Sequence, residues 1–236
     1  MIKIGNFFFR FRNYVFPLAI LLVLIPSPPL FPDGRLALAL GLLVIVCGQG
    51  LRAMTIGLAY IKRGGREKRV YADGLVCDGL FAHCRNPLYV GNILMLLGFG
   101  VALNSRLCLV VGGACFLFIY SAIVRAEENF LRGKFGAAFE DYCRAVPRWR
   151  VRLAGLGATL RSMQFHWRRL LVKEYGTCFN WLAGLPIAFY LQAHLVATHD
   201  FAWTPADTRL LVLLAPALAF YGVARFLKKA RIVVAD

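Results

Sequence analysis

Apolar and polar positions alternate in long blocks along this chain. Six apolar runs, at residues 14–31, 36–60, 87–103, 107–124, 179–197 and 210–227, are separated by polar, mostly basic segments. A bilayer core of about 30 Å is crossed by roughly 20 apolar residues in a helix. The blocks therefore predict an all-α, polytopic membrane helix bundle of about six transmembrane helices. The first run is the shortest in clean apolar core, over 15–25, and breaks at Pro26, Pro28 and Pro29. No small-x-small pattern follows that core, so a span is expected there rather than a cleaved signal peptide.

Two of the polar segments have a helical period of their own. Leu131, Phe135, Phe139 and Tyr142 recur at steps of four, four and three, which is one face of a helix. The fourth run is thus expected to project or bend beyond the membrane, with Glu127 and Glu128 at its mouth. Between residues 149 and 173, Met163, Trp167, Leu170 and Leu171 share a face opposite Arg161, Arg168 and Arg169, which predicts a basic helix lying on the membrane surface. The chain reads as a single membrane domain over 1–236, in which 151–236 holds that surface helix and two further spans.

Charge gives the bundle a direction. The net charge is +16, from 28 Lys+Arg against 12 Asp+Glu, on a chain that is 59% hydrophobic. With the N-terminus in the cytoplasm, 24 of the 28 basic residues fall on that side; Arg35, Arg106 and Arg209 fall on the other, and Arg52 lies inside the second run. The positive-inside rule then predicts a multi-pass integral membrane protein with both termini cytoplasmic. The basic residues flank spans instead of forming a soluble patch, so the expected partner is the membrane, with no nucleic acid. Arg outnumbers Lys 21 to 7, a bias common in GC-rich bacterial chains, which points to a bacterial inner membrane. The seven cysteines are scattered without a C-x-x-C, so they are expected to be reduced, with no metal site.

Chemistry concentrates in two places. Gly48, Gly50 and Ala53 match a dinucleotide fingerprint in form only, since no strand precedes them; inside a span, small residues serve close helix packing. The segment 74–91, GLVCDGLFAHCRNPLYVG, is richer: it holds His83, Arg85 and Asn86 directly before an apolar run that opens with Pro87. Proline suits a first helical turn, and Asn86 suits the N-cap before it. Exposed N–H groups at such a helix start attract a carboxylate. The second place is Glu127-Glu128 beside Arg125, where paired acids at a membrane boundary are costly unless solvated or bonded. Only three residues join the third and fourth runs, so Asn86-Pro87 and Glu127-Glu128 are expected to meet at the cytoplasmic end of a hairpin. Amides and a carboxylate together suit a zwitterionic amino-acid headgroup, although a capped helix and solvated acids without a ligand fit the same residues.

The stretch LVCDGLFAHCRNPLYVGN, followed about 35 residues later by EENFLRGKFGAAFEDYCRAVPR, resembles the isoprenylcysteine carboxyl methyltransferase and phospholipid methyltransferase superfamily over 66–150. The family pattern is a Leu-Val-x-x-Gly approach, an Arg-His-Pro-x-Tyr-x-Gly turn and a Glu-Glu-x-x-Leu segment ending in Val-Pro. The resemblance implies a cytoplasmic cofactor-binding segment for S-adenosyl-L-methionine (SAM). It implies cofactor contacts from Asp73, Gly74, Leu75, Val76, Phe81, Asn86, Pro87, Leu88, Tyr89 and Glu127, and catalytic support from Arg125 and Glu128. Two positions depart from the pattern. The family histidine is Asn86 here, as in its phospholipid N-methyltransferases. The arginine four residues before the first glutamate is Ile123, with Arg125 only two before it.

The implied reaction is methyl transfer from SAM to a lipid or lipidated substrate from the bilayer, through a carboxylate or an amine. An amine acceptor has to lose a proton, to Glu128 or to water. A phospholipid N-methyltransferase, an NADPH-dependent membrane reductase and a non-catalytic membrane protein are the alternatives the sequence leaves open.

Overall fold

The computed structural model describes residues 1–58, 72, 74–194 and 204–234, and every regular element among them is helical. The helices are α1 (Ile2–Leu18), α2 (Gly34–Leu58), α3 (Pro87–Ala102), α4 (Gly113–Phe135), α5 (Ala137–Ala145), α6 (Leu156–Ser162), α7 (Trp167–Leu191) and α8 (Pro205–Lys229). A 3-10 segment, Ala19–Leu24, prolongs α1, and a wide π turn, Cys108–Gly112, leads into α4.

Two helices, Gly34–Leu58 and Cys108–Phe135, are long and apolar enough to cross a membrane, and Pro87–Ala102 is apolar but shorter. The expectation of about six transmembrane helices is thus met in part. The first helix starts at Ile2, twelve residues ahead of the apolar run, because the polar Lys3, Arg10 and Arg12 lie within it. The fifth starts at Trp167 and carries Arg168, Arg169, Lys173 and Glu174 in its first turns. The stretch read as one surface helix is therefore divided: α6 is only seven residues long and the remainder opens α7. Arg169 is buried, apart from the exposed Arg168 with which the sequence grouped it, while Trp167 is 73% exposed. The outer surface of the bundle is apolar: Leu43 of α2 is 59% exposed, Val110 before α4 65% and Val223 of α8 59%. An apolar exterior of this kind marks contact with lipid or another partner.

Helices α2 and α3 approach backbone to backbone. A Cβ on Gly48 would stand 2.6 Å from the Gly91 carbonyl oxygen, and one on Gly98 2.8 Å from that of Gly41. Helix association in lipid relies on such small residues, because no hydrophobic difference drives it. Gly50, by contrast, faces open space. Helix α1 runs along α4, where Phe9 packs with Phe116, Ile119, Tyr120 and Ile123. Helix α7 joins α2 and α3 through Leu185 and Ala188 against Ile45, Met95 and Ala102.

The links on one end of the bundle are tied together. Asn104 accepts from the amides of Leu30 and Phe31 at 2.9 Å and donates to the Phe31 carbonyl, while Arg106 donates to the Pro29 carbonyl. The segment 74–86 lies at the opposite end, with the C-terminal half of α4. Gly136, at φ +53°, ends α4 and starts α5, a backbone conformation that glycine adopts without steric cost. The helical face read across 131–142 therefore bends at this residue. Phe139 is buried behind the bend, and the Tyr142 hydroxyl donates to the Phe81 carbonyl at 2.8 Å.

Candidate functional site

Helix α3 begins at Pro87, and Asn86 holds the N-cap position without capping. Its side-chain amide instead donates to the Arg148 carbonyl at 3.1 Å. The residues before it are pinned to the same strip of chain. The Arg85 amide donates to the Pro147 carbonyl, the Cys84 thiol to that of Arg148, and the Arg152 amide to that of His83. The buried His83 ring spans the Arg152 carbonyl and the Thr159 hydroxyl, each at 2.8 Å. The polar set His83, Arg85 and Asn86 thus staples the turn before α3 to residues 147–159, which form the floor of this end.

The hairpin brings α3 and α4 together here. The Tyr89 hydroxyl donates to Glu127 Oε1 at 2.7 Å. One residue on, Glu128 is buried and takes two guanidinium groups. Arg148 donates through Nε and NH2 at 2.9 and 2.7 Å, and Arg85 through NH1 at 3.0 Å. Bidentate arginine–carboxylate pairs are the strong, geometrically specific ones. Arg85 also donates to the Cys143 sulfur, and its buried Nε has no partner.

The other sequence-predicted residues fall around this junction. Leu88 lies in the first turn of α3, beside Tyr89. Phe81 sits in a short 3-10 turn, Gly79–Ala82, while Leu75 and Val76 are half-buried and Gly74 is exposed, all three outside regular structure. Asp73 lies outside the described residues, as do residues 59–71 and with them most of the basic segment between the second and third runs. Arg125 is exposed on α4, three residues before Glu128, and makes no part of the arginine pair that Glu128 receives. Burial raises the Cys84 and Cys143 thiols above their ordinary range. Burial likewise pushes the Tyr142 phenol up. Among the described residues no three His, Cys, Asp or Glu side chains gather to hold a metal ion.

Two participants were not singled out from the sequence. Arg148 follows Val146-Pro147, and a basic residue fixed behind a proline was the available signal. The other is Glu174, the partner of Arg52; an arginine in the middle of an apolar run calls for a buried acid.

A family model described as phospholipid methyltransferase matches residues 36–138. The cobalt-zinc-cadmium resistance protein CzcN of Cupriavidus metallidurans is 31% identical over 64% of this chain and 68% of its own length. The nickel-cobalt-cadmium resistance protein NccN of Alcaligenes xylosoxydans xylosoxydans is 34% identical over 34% of this chain and 37% of its own. The protein-S-isoprenylcysteine O-methyltransferase of Mus musculus is 32% identical over 46% of this chain and 39% of its own. The chain belongs to the isoprenylcysteine carboxyl methyltransferase and phospholipid methyltransferase superfamily. No solved structure matches at a significant level. The chain spans two thirds of CzcN but under two fifths of the other two relatives. The match to the superfamily model holds α2, α3 and α4 and stops at residue 138, ahead of Tyr142, Arg148 and α6–α8.

Proposed function

We propose that the chain is an integral-membrane methyltransferase that uses SAM to methylate a lipidic acceptor at the cytoplasmic face. The observation that carries this reading is the meeting of Glu127 with Tyr89 at the uncapped start of α3, inside the region matched to the superfamily. The site residues suit the cofactor's zwitterion. Arg85 Nε is a buried donor without an acceptor, the first turn of α3 has no side-chain cap, and Glu127 is a half-buried carboxylate. Donors for a carboxylate thus stand beside an acceptor for an ammonium or hydroxyl group.

Bound there, SAM would supply an electrophilic methyl group. The chain's own work is to orient and to exclude water. Glu127 is held in one rotamer by the Tyr89 hydroxyl. Glu128 has both oxygens taken by guanidinium N–H groups, so in this reading it anchors Arg85 and Arg148, and a proton from an amine acceptor goes to water. Arg125, exposed on α4, is assigned to the acceptor's polar head. The turn at 74–86 closes the cytoplasmic side, and lipid reaches the site between helices. This reading places α1, α2, α3, α4, α7 and α8 as six spans with both termini cytoplasmic, in a bacterial inner membrane.

The test is transfer of a radiolabelled methyl group from SAM into a membrane extract, with the product identified by mass spectrometry. Labelled lipid is expected with the native chain and absent with Glu127→Ala, which calorimetry should show no longer binds SAM. Unchanged SAM affinity in that variant would remove the site. Oxidation of NADPH in the presence of lipid, with no methyl uptake, would make the protein a reductase.

A further inference from the structure

A second polar cluster lies inside the bundle, one turn deeper than the cofactor turn. Arg52 of α2 is 2% exposed, and its fork meets Glu174 of α7, with Nε to Oε2 at 2.9 Å and NH2 to Oε1 at 2.7 Å. Gln49 donates to the same carboxylate at 3.1 Å, and Arg52 NH2 reaches the Thr177 hydroxyl. The remaining nitrogen turns to α3, where NH1 donates to the Leu88 carbonyl at 3.4 Å and to the Asn92 side-chain oxygen. Asn92 also hydrogen-bonds the Tyr120 hydroxyl of α4. The arginine passes over Gly91, where a Cβ would stand 2.5 Å from its Cγ. Every donor direction of the guanidinium is therefore used, which leaves it no free group for a substrate.

We infer that the Arg52–Glu174 pair is a positioning couple, through which α7 sets the rotation and height of the first turn of α3 and so the place of Leu88 and Tyr89. The inference rests on the SAM reading above and extends it to a helix beyond the superfamily match. Leu88 and Tyr89 lie on the turn assigned to the cofactor, and Tyr89 holds Glu127. A charged pair with no exposure needs a reason to persist, because apolar residues of similar volume usually stabilise a buried site as well or better. Fixing the register of a helix at a binding turn is such a reason, and it explains why one end of the pair grips α3.

The double variant Arg52→Met, Glu174→Leu removes both charges together and is expected to fold. Two measurements on the full-length protein in detergent or nanodiscs decide the matter. In the first, the Kd for SAM by calorimetry is expected to rise about tenfold, with a Tm at or above that of the native chain. In the second, amide hydrogen exchange over residues 86–92 is expected to speed up about tenfold while exchange in the outer half of α3 stays unchanged. Glu174→Gln, which keeps the shape and weakens the grip, should move both readouts in the same direction by a smaller factor. Unchanged exchange at 86–92 in the double variant overturns the inference whatever the SAM result. Faster exchange in a chain whose native form binds no SAM would keep the positioning role and remove the functional reading instead.

Discussion

The protein contains two arginine–glutamate clusters, and they differ in what surrounds them. In the bundle, Arg52 and Glu174 are each 2% exposed at the side chain and join helices whose partners stand 122 residues apart. At the end of the bundle, Glu128 is also buried, at 8%, but Arg148 is 39% exposed and Arg85 keeps an orphaned Nε. In the first cluster the guanidinium has all its donors used, and it joins three helices. The second is open on one side, where it borders Glu127 and the start of α3. A sealed pair contributes geometry; an open one can still take a ligand. The neighbour Glu127 has a phenol as its partner where Glu128 has two arginines, so adjacent carboxylates on one helix stand in different surroundings.

The comparison can be broken at its sealed end first. Glu174→Ala leaves a guanidinium inside the bundle and is expected to destabilise the protein by about 3–5 kcal/mol, read as a fall in Tm or loss of folded protein in detergent. Glu128→Ala should cost less, about 1–3 kcal/mol, since Arg148 can turn to water while Arg85 loses its main acceptor. A loss equal to that of Glu174→Ala would mean that the open cluster is as closed as the other. Glu127→Gln is expected to change stability by under about 1 kcal/mol, because the Tyr89 hydroxyl retains an acceptor, yet to weaken SAM binding at least tenfold by calorimetry. That separation of folding from binding is the sharpest contrast with Glu128. Arg125→Ala, on the exposed side of α4, should move stability by no more than about 0.5 kcal/mol and leave SAM affinity unchanged. A change in SAM affinity would place Arg125 on the cofactor side; a change in acceptor KM alone would support its assignment to the lipid head.

Much of the architecture was legible because hydropathy blocks report burial in lipid directly. Helices α2 and α3 begin and end within a few residues of their apolar runs, and Pro87 announced the start of α3. Helices α1 and α7 were legible only in their apolar parts. Hydropathy says nothing about a helix that continues through Lys3 and Arg12 or through Arg168 and Glu174. Pro186 and Pro216 sit inside α7 and α8 without ending them.

The approach of the start of α3 to Glu127-Glu128 could be anticipated, since a three-residue link forces the two runs into a hairpin. Capping by Asn86 could not be decided in the same way. An asparagine before a proline is preorganised for the N-cap, but the chain at 147–148 offers a carbonyl, and the side chain goes there.

The sequence by itself determined the class of protein, the hairpin of α3 and α4, and the motif that ties it to its superfamily. These follow from local composition and from spacings short enough for the chain to enforce. Only the tertiary structure decided which carboxylate receives which arginine. Glu128 and Arg148 are 20 residues apart, and Arg52 and Glu174 are 122. Side-chain pairing over such separations depends on helix rotation and close approach, as at Gly91, and neither is written in any stretch of residues read alone.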